Sequence, residues 1–110
     1  MLNPKYNKLI DLLNKKGDGD MVVRGNSMTP IIESGSLLSF SKDSDYEIGD
    51  VAFCKVKGRV IDAHLITSKS PKRGWLISNN HGYDNGWTKT IYGRVTAING
   101  KPYGRKSCGK

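Results

Sequence analysis

The residues Gly25-Asn26-Ser27-Met28-Thr29-Pro30 lie between two short apolar runs, Met21-Val22-Val23 and Ile31-Ile32, and read as a strand running into a tight loop. Gly25 permits backbone angles that other residues avoid. Pro30 fixes its own φ and steers its predecessor away from helical geometry. Between these two stiff points stands a small hydroxyl, Ser27. A nucleophilic serine needs such a pedestal, because its hydroxyl is weak until a base is held within hydrogen-bond reach. A plain polar turn has the same composition, so the neighbours of the loop must separate the two readings.

Upstream, Asn3-Pro4 offers an N-cap followed by proline at the first helical position. Tyr6, Leu9, Ile10 and Leu13 recur at helical spacing, and Lys15-Lys16 and Gly17 close the run, which predicts one amphipathic helix over 4–16. Gly17-Asp18-Gly19-Asp20 reads as a turn. Downstream the period shortens, and strands are predicted over 21–24, 36–41, 51–57, 59–67, 75–78 and 91–98. Lys57-Gly58-Arg59 is a hairpin candidate. Residues 68–74 and 79–87 read as polar loops, and from Asn99 the apolar pattern stops, which predicts a mobile basic tail over 99–110. The expectation is one mainly β domain over 1–98, with helix at 4–16 and β core at 21–98.

With 110 residues the chain suits one modest core, and 36% hydrophobic residues with 13 glycines suit a small β-rich domain with many turns. Eighteen basic against ten acidic residues give a net charge of +8. Such a surface attracts polyanions without specificity. The cations are dispersed and no basic motif is interleaved with aromatics, so a solvated surface is favoured over a nucleic-acid site. Two cysteines, Cys54 and Cys108, make neither a disulfide framework nor a metal set. No cofactor is implied. No run approaches the roughly 18 apolar residues of a membrane span, and no secretory leader is evident. The cytoplasm is the expected compartment.

Beside the serine loop stand Gly35-Ser36-Leu37-Leu38, Gly49-Asp50-Val51-Ala52-Phe53, Val60-Ile61-Asp62-Ala63-His64-Leu65-Ile66, Ser78-Asn79-Asn80 and Ile91-Tyr92-Gly93-Arg94-Val95. In this order they resemble the catalytic domain shared by LexA-type self-cleaving repressors, UmuD-like proteins and type I signal peptidases. The resemblance covers about residues 22–98. It implies a coiled, mostly antiparallel β-fold, to which the short N-terminal amphipathic helix read above is added, and a serine endopeptidase. The implied substrate is a polypeptide bound as an extended strand along a sheet edge, with small residues before the scissile bond. Ser27 takes the place of the nucleophile, and Gly25, Met28 and Pro30 belong to the substrate-binding loop. A homodimer is left open.

The base is where the chain departs from the pattern. LexA-type and bacterial signal peptidases use a lysine, whereas archaeal and endoplasmic-reticulum signal peptidases carry a histidine. Residues 60–66 hold no lysine. An ungapped reading puts Ala63 at the base position and turns His64 away, since neighbouring strand residues face opposite sides. A gapped reading against the histidine type directs His64 toward Ser27. The second is preferred, because histidine titrates near neutral pH without deep burial. Asp84 is the first candidate for the acid that orients the base, and Asp62, two residues from His64, is the alternative. His81 reads as an exposed loop residue and a weaker candidate base.

About twenty residues before the serine loop cannot hold a helix-turn-helix domain, so a stand-alone peptidase core of the small phage or mobile-element kind is expected. It would process another polypeptide or itself, with Cys108-Gly109 as a candidate self-cleavage bond. Two rivals remain. One is a binding module that keeps the fold without a working dyad. The other is a basic nucleic-acid-binding β-domain stacking bases on Tyr46, Trp75, Tyr83 or Trp87.

Overall fold

The computed structural model describes residues 4–104. Helix α1, Pro4–Lys16, begins at the predicted proline and buries Leu9 and Leu13. Each such leucine contributes roughly 1.5–3 kcal/mol of burial. The Gly17 N–H donates to Leu13 O at 3.0 Å and closes the last turn.

Eight strands follow: β1 Asp18–Val22, β2 Leu37–Ser41, β3 Val51–Val56, β4 Arg59–Ser70, β5 Gly74–Ser78, β6 Asp84–Thr88, β7 Thr90–Ile98 and β8 Lys101–Pro102. They form one sheet in the order β1-β2-β7-β3-β4-β5-β6, with β8 on β7 and every pairing antiparallel. The chain is therefore mainly antiparallel β with one short N-terminal helix, as the sequence predicts. No helix among the described residues is long and apolar enough to cross a membrane.

The sheet coils so that its central strand is covered on both sides. Val51 and Phe53 of β3 enter a cluster with Leu9, Leu13, Met28, Phe40 and Val95. Their neighbours Ala52, Cys54 and Val56 enter a second cluster with Tyr46, Ile66 and Ile77. Phe53 is the hub of the first, with its ring centroid 5.9, 5.7 and 5.1 Å from those of Tyr6, Phe40 and Tyr92. On the far side β6 curls back to β3, where Thr88 Oγ1 donates to Lys55 O.

Three elements differ from the sequence reading. β1 starts at Asp18, inside the predicted turn, because Asp18 and Gly19 pair with Ser41 and Phe40 of β2. β6 was expected as loop, and its residues Asp84 to Thr88 alternate no apolar side chains; its pairing with β5 makes it a strand. The chain also stays ordered past Asn99. The Asn99 N–H donates to Leu37 O at 2.7 Å, its Oδ1 accepts from the Leu37 N–H at 2.8 Å, and β8 then pairs back on β7. Residues 105–110, which include Cys108-Gly109, lie outside the described residues.

β4 is the strand that matters for function. Residues 59–64 pair with β3 alone, and pairing with β5 begins only at Leu65. The first half of β4 therefore offers an open sheet edge.

Candidate active site

The serine loop is held from within and from outside. Gly25 sits at φ 110°, the left-handed region its lack of a side chain makes available, and its N–H donates to Ser34 Oγ at 3.1 Å. Thr29 closes the turn through its N–H and Oγ1 to Asn26 O, at 3.3 and 3.0 Å. Met28, read from the sequence as a substrate-binding residue, is instead 3% exposed within the first core cluster, where it pins the loop to the fold. Pro30 is exposed, and Ser27 is half-buried.

Residues 79–81 brace this loop from the side, a role the sequence reading missed. The Asn80 N–H donates to Ser27 O at 2.8 Å, and Asn80 Nδ2 donates to Thr29 O at 2.9 Å. His81 Nε2 lies 3.0 Å from Asn26 O and 3.3 Å from Thr29 Oγ1. A carbonyl only accepts, so His81 carries its proton on Nε2 and that nitrogen is committed to the loop backbone. Asn79 Oδ1 holds the turn by accepting from the His81 and Tyr83 N–H groups. The only signal in the sequence was the run Ser78-Asn79-Asn80.

This bracing fixes where Ser27 sits. Leu65 of β4 pairs with Ser78 of β5, and Asn80, two residues farther on, holds Ser27 O. His64 is the β4 residue next to Leu65. Ser27 is thus tethered beside the middle of β4, where the histidine stands.

The direction of His64 is set by a β-bulge. Between the rungs Cys54–Ile61 and Ala52–His64 the ladder advances two residues on β3 and three on β4. Asp62 and Ala63 together face Phe53, as two residues opposing one do in a bulge. Had the ladder continued unbroken from Cys54–Ile61, Ala63 would have stood opposite Ala52 and His64 opposite Val51. The bulge moves His64 to the rung that an unbroken strand gives to Ala63.

Neither predicted orienting acid reaches the ring. Asp84 Oδ1 accepts from Ser78 Oγ at 2.6 Å, and Thr67 Oγ1 lies 2.8 Å from that hydroxyl, so Asp84 ties β6 to β5 and β4. Asp62 does not share the face of His64, because the bulge breaks the two-residue alternation between them. Its Oδ1 accepts from the Ala63 N–H at 2.8 Å and its Oδ2 from Tyr6 OH at 3.4 Å. His64 Nδ1 is buried and has no hydrogen-bond partner. Among the described residues no hydrogen bond joins His64 to Ser27.

Burial holds the His64 pKa below its ordinary value, against opposing pulls from the nearby Asp62 charge and the Ala63 backbone. The ring is therefore neutral at neutral pH, the form a base requires. Burial, then the Asp62 charge, pushes the Cys54 thiol up to about 12, so that it is inert as a nucleophile. No grouping of three or more His, Cys, Asp or Glu among the described residues could hold a metal ion. Of the aromatics considered for base stacking, Tyr46 is 4% exposed, Trp75 Nε1 donates to Tyr46 O, and Arg73 covers the ring of Trp87. Only Tyr83 is free to stack.

No curated protein and no solved structure matches the chain. A sequence model of one family does match, over residues 4–98, which spans the helix, the serine loop, the bulged strand and the bracing loop. The chain belongs to the Peptidase S24-like family.

Proposed function

We propose that this chain is a serine endopeptidase whose nucleophile is Ser27 and whose base is His64, acting as a dyad without an orienting carboxylate. The tether of Ser27 beside the His64 segment of β4 carries this reading: the Asn80 N–H holds Ser27 O, Leu65 next to His64 pairs with Ser78, and His64 keeps a buried, unpartnered imidazole nitrogen.

An extended polypeptide adds to the open edge at residues 59–64 by main-chain hydrogen bonds. On substrate binding His64 takes the Ser27 proton, and Oγ attacks the carbonyl to give an acyl-enzyme. The imidazolium protonates the leaving amine. His64 then removes a proton from the water that releases the acyl group. The N–H groups of Ser27 and Met28 donate no hydrogen bond among the described residues, which leaves them available to the oxyanion. A resting enzyme without a formed Ser–His bond is compatible with this chemistry, because catalytic hydrogen bonds commonly tighten only in the substrate complex.

The test is incubation of wild type and Ser27→Ala with denatured protein, followed by mass spectrometry of the fragments. Wild type yields cleavages that Ser27→Ala lacks, a loss on the order of 10³-fold or more. Equal cleavage by both would remove the nucleophile. A second reading, a peptide-binding module that keeps the scaffold without hydrolysis, is favoured by the missing Ser27–His64 hydrogen bond and by acids that bond elsewhere. It predicts peptide binding with no fragments from either protein.

A further inference from the structure

The open edge of β4 faces a cavity of about 360 Å³, lined by Tyr6, Lys57, Arg59, Asp62, His64, Tyr83 and Asn85 among others. That volume accommodates a side chain with its flanking backbone. Two buried polar atoms without partners belong to its lining residues, His64 Nδ1 and Asn85 Oδ1. Buried polar atoms are nearly always hydrogen-bonded, so a pair of orphans in one cavity marks an unfilled demand. Asn85 Oδ1 accepts only, and suits an N–H from an incoming chain.

The charge in the cavity is asymmetric. Lys57 and Arg59 flank the hairpin glycine Gly58, and neither forms an ion pair or side-chain hydrogen bond among the described residues. Lys57 is folded toward β6, where its Nζ comes 3.6 Å from the place a side chain on Gly86 would occupy. The single carboxylate of the lining, Asp62, is already held by Tyr6 OH and the Ala63 N–H. Two uncompensated cations at one end of an edge strand attract an anion into a partly desolvated site.

We infer that this cavity seats an acidic side chain of the bound polypeptide, with Lys57 and Arg59 as its specificity-determining residues. The inference rests on the edge-binding reading above. Arg59 and His64 are five positions apart on β4, and paired strands advance together at about 3.3 Å per residue. The favoured Asp or Glu therefore stands roughly four or five residues to one side of the scissile bond. The +8 charge of the chain works in the same direction at longer range.

The experiment uses the full chain carrying Ser27→Ala, to prevent turnover. The probes are synthetic peptides of about twelve alanine, serine and glycine residues, with one glutamate walked along the sequence and a glutamine counterpart for each. Binding is read from backbone amide shifts at residues 59–64 and from the Asn85 side-chain amide. One glutamate register binds about fivefold more tightly than its glutamine counterpart, as one partly exposed ion pair allows, and the preference shrinks with salt. Lys57→Gln with Arg59→Gln abolishes the preference. Equal binding of every pair at the edge, or a preference that survives the double substitution, overturns the acidic site and leaves edge binding intact. No shift at residues 59–64 with any peptide overturns edge binding, and the acidic site with it.

Discussion

His64 stands opposite Ala52 because Asp62 and Ala63 together span the single step across Phe53. A one-residue slip in a strand sends each later side chain to the other face, so this bulge decides which of two adjacent residues, 63 or 64, stands across from Ala52. Moving a basic group from 64 to 63 tests it. The double variant Ala63→Lys with His64→Ala is expected to hydrolyse peptides no faster than His64→Ala alone. Hydrolysis near the wild-type rate would assign the base position to residue 63.

The pH dependence follows from the burial of His64. A base must be deprotonated, so kcat/KM is flat near neutrality and falls as pH drops through the His64 pKa, with a midpoint below the ordinary 6.5. Stability follows the same group. Above pH 6.5 the ring is neutral in both folded and unfolded chains. Below it the unfolded chain takes up a proton that the folded chain resists, so His64 makes stability fall with acidification. Denaturant titrations of wild type and His64→Gln should converge as pH is lowered from 7 toward the folded-state pKa. Parallel pH profiles would remove His64 as the cause.

Asn80 sits between the two halves of the site. Asn80→Ala loses the Nδ2 bond to Thr29 O and keeps the main-chain bond to Ser27. The cost is about 0.5–1.5 kcal/mol, felt locally. Amide exchange at residues 26–32 should quicken about tenfold while the centre of β3 is unchanged, and kcat should fall more than KM rises. An unchanged loop would show that Asn80 does not position Ser27.

Phe53 joins the helix to the sheet through three ring contacts and is fully buried. Phe53→Ala should destabilise the domain by about 3–5 kcal/mol in urea titration. A loss under 1 kcal/mol would mean the cluster closes around the gap.

The helix and most of the core strands were legible because their signals are local: Pro4 and Gly17 bound α1, Lys57-Gly58 makes the β3–β4 turn, and apolar residues mark the strands. β6 and β8 were not, because Asp84-Asn85-Gly86 and Lys101-Pro102 carry no such signal and become strands only through their partners. The tight loop around Ser27 was legible from Gly25 and Pro30. Met28 was misread as lining the binding surface, since nothing local distinguishes a core methionine from a groove one. The partners of the two acids were hidden for another reason. Spacing in sequence put Asp62 beside His64, while one extra residue in the ladder separated them, and the hydroxyl of Ser78 claimed Asp84.

The most direct measurement of the Ser27–His64 pair is covalent trapping of the nucleophile. Wild type, His64→Ala and Ser27→Ala are treated with a fluorophosphonate, and the modified residue is mapped by mass spectrometry across pH 5 to 8. The dyad predicts modification of Ser27 in wild type, slowing as pH falls, with loss of about 10²-fold or more in His64→Ala. Unmodified Ser27 in wild type, or equal modification in His64→Ala, would contradict it.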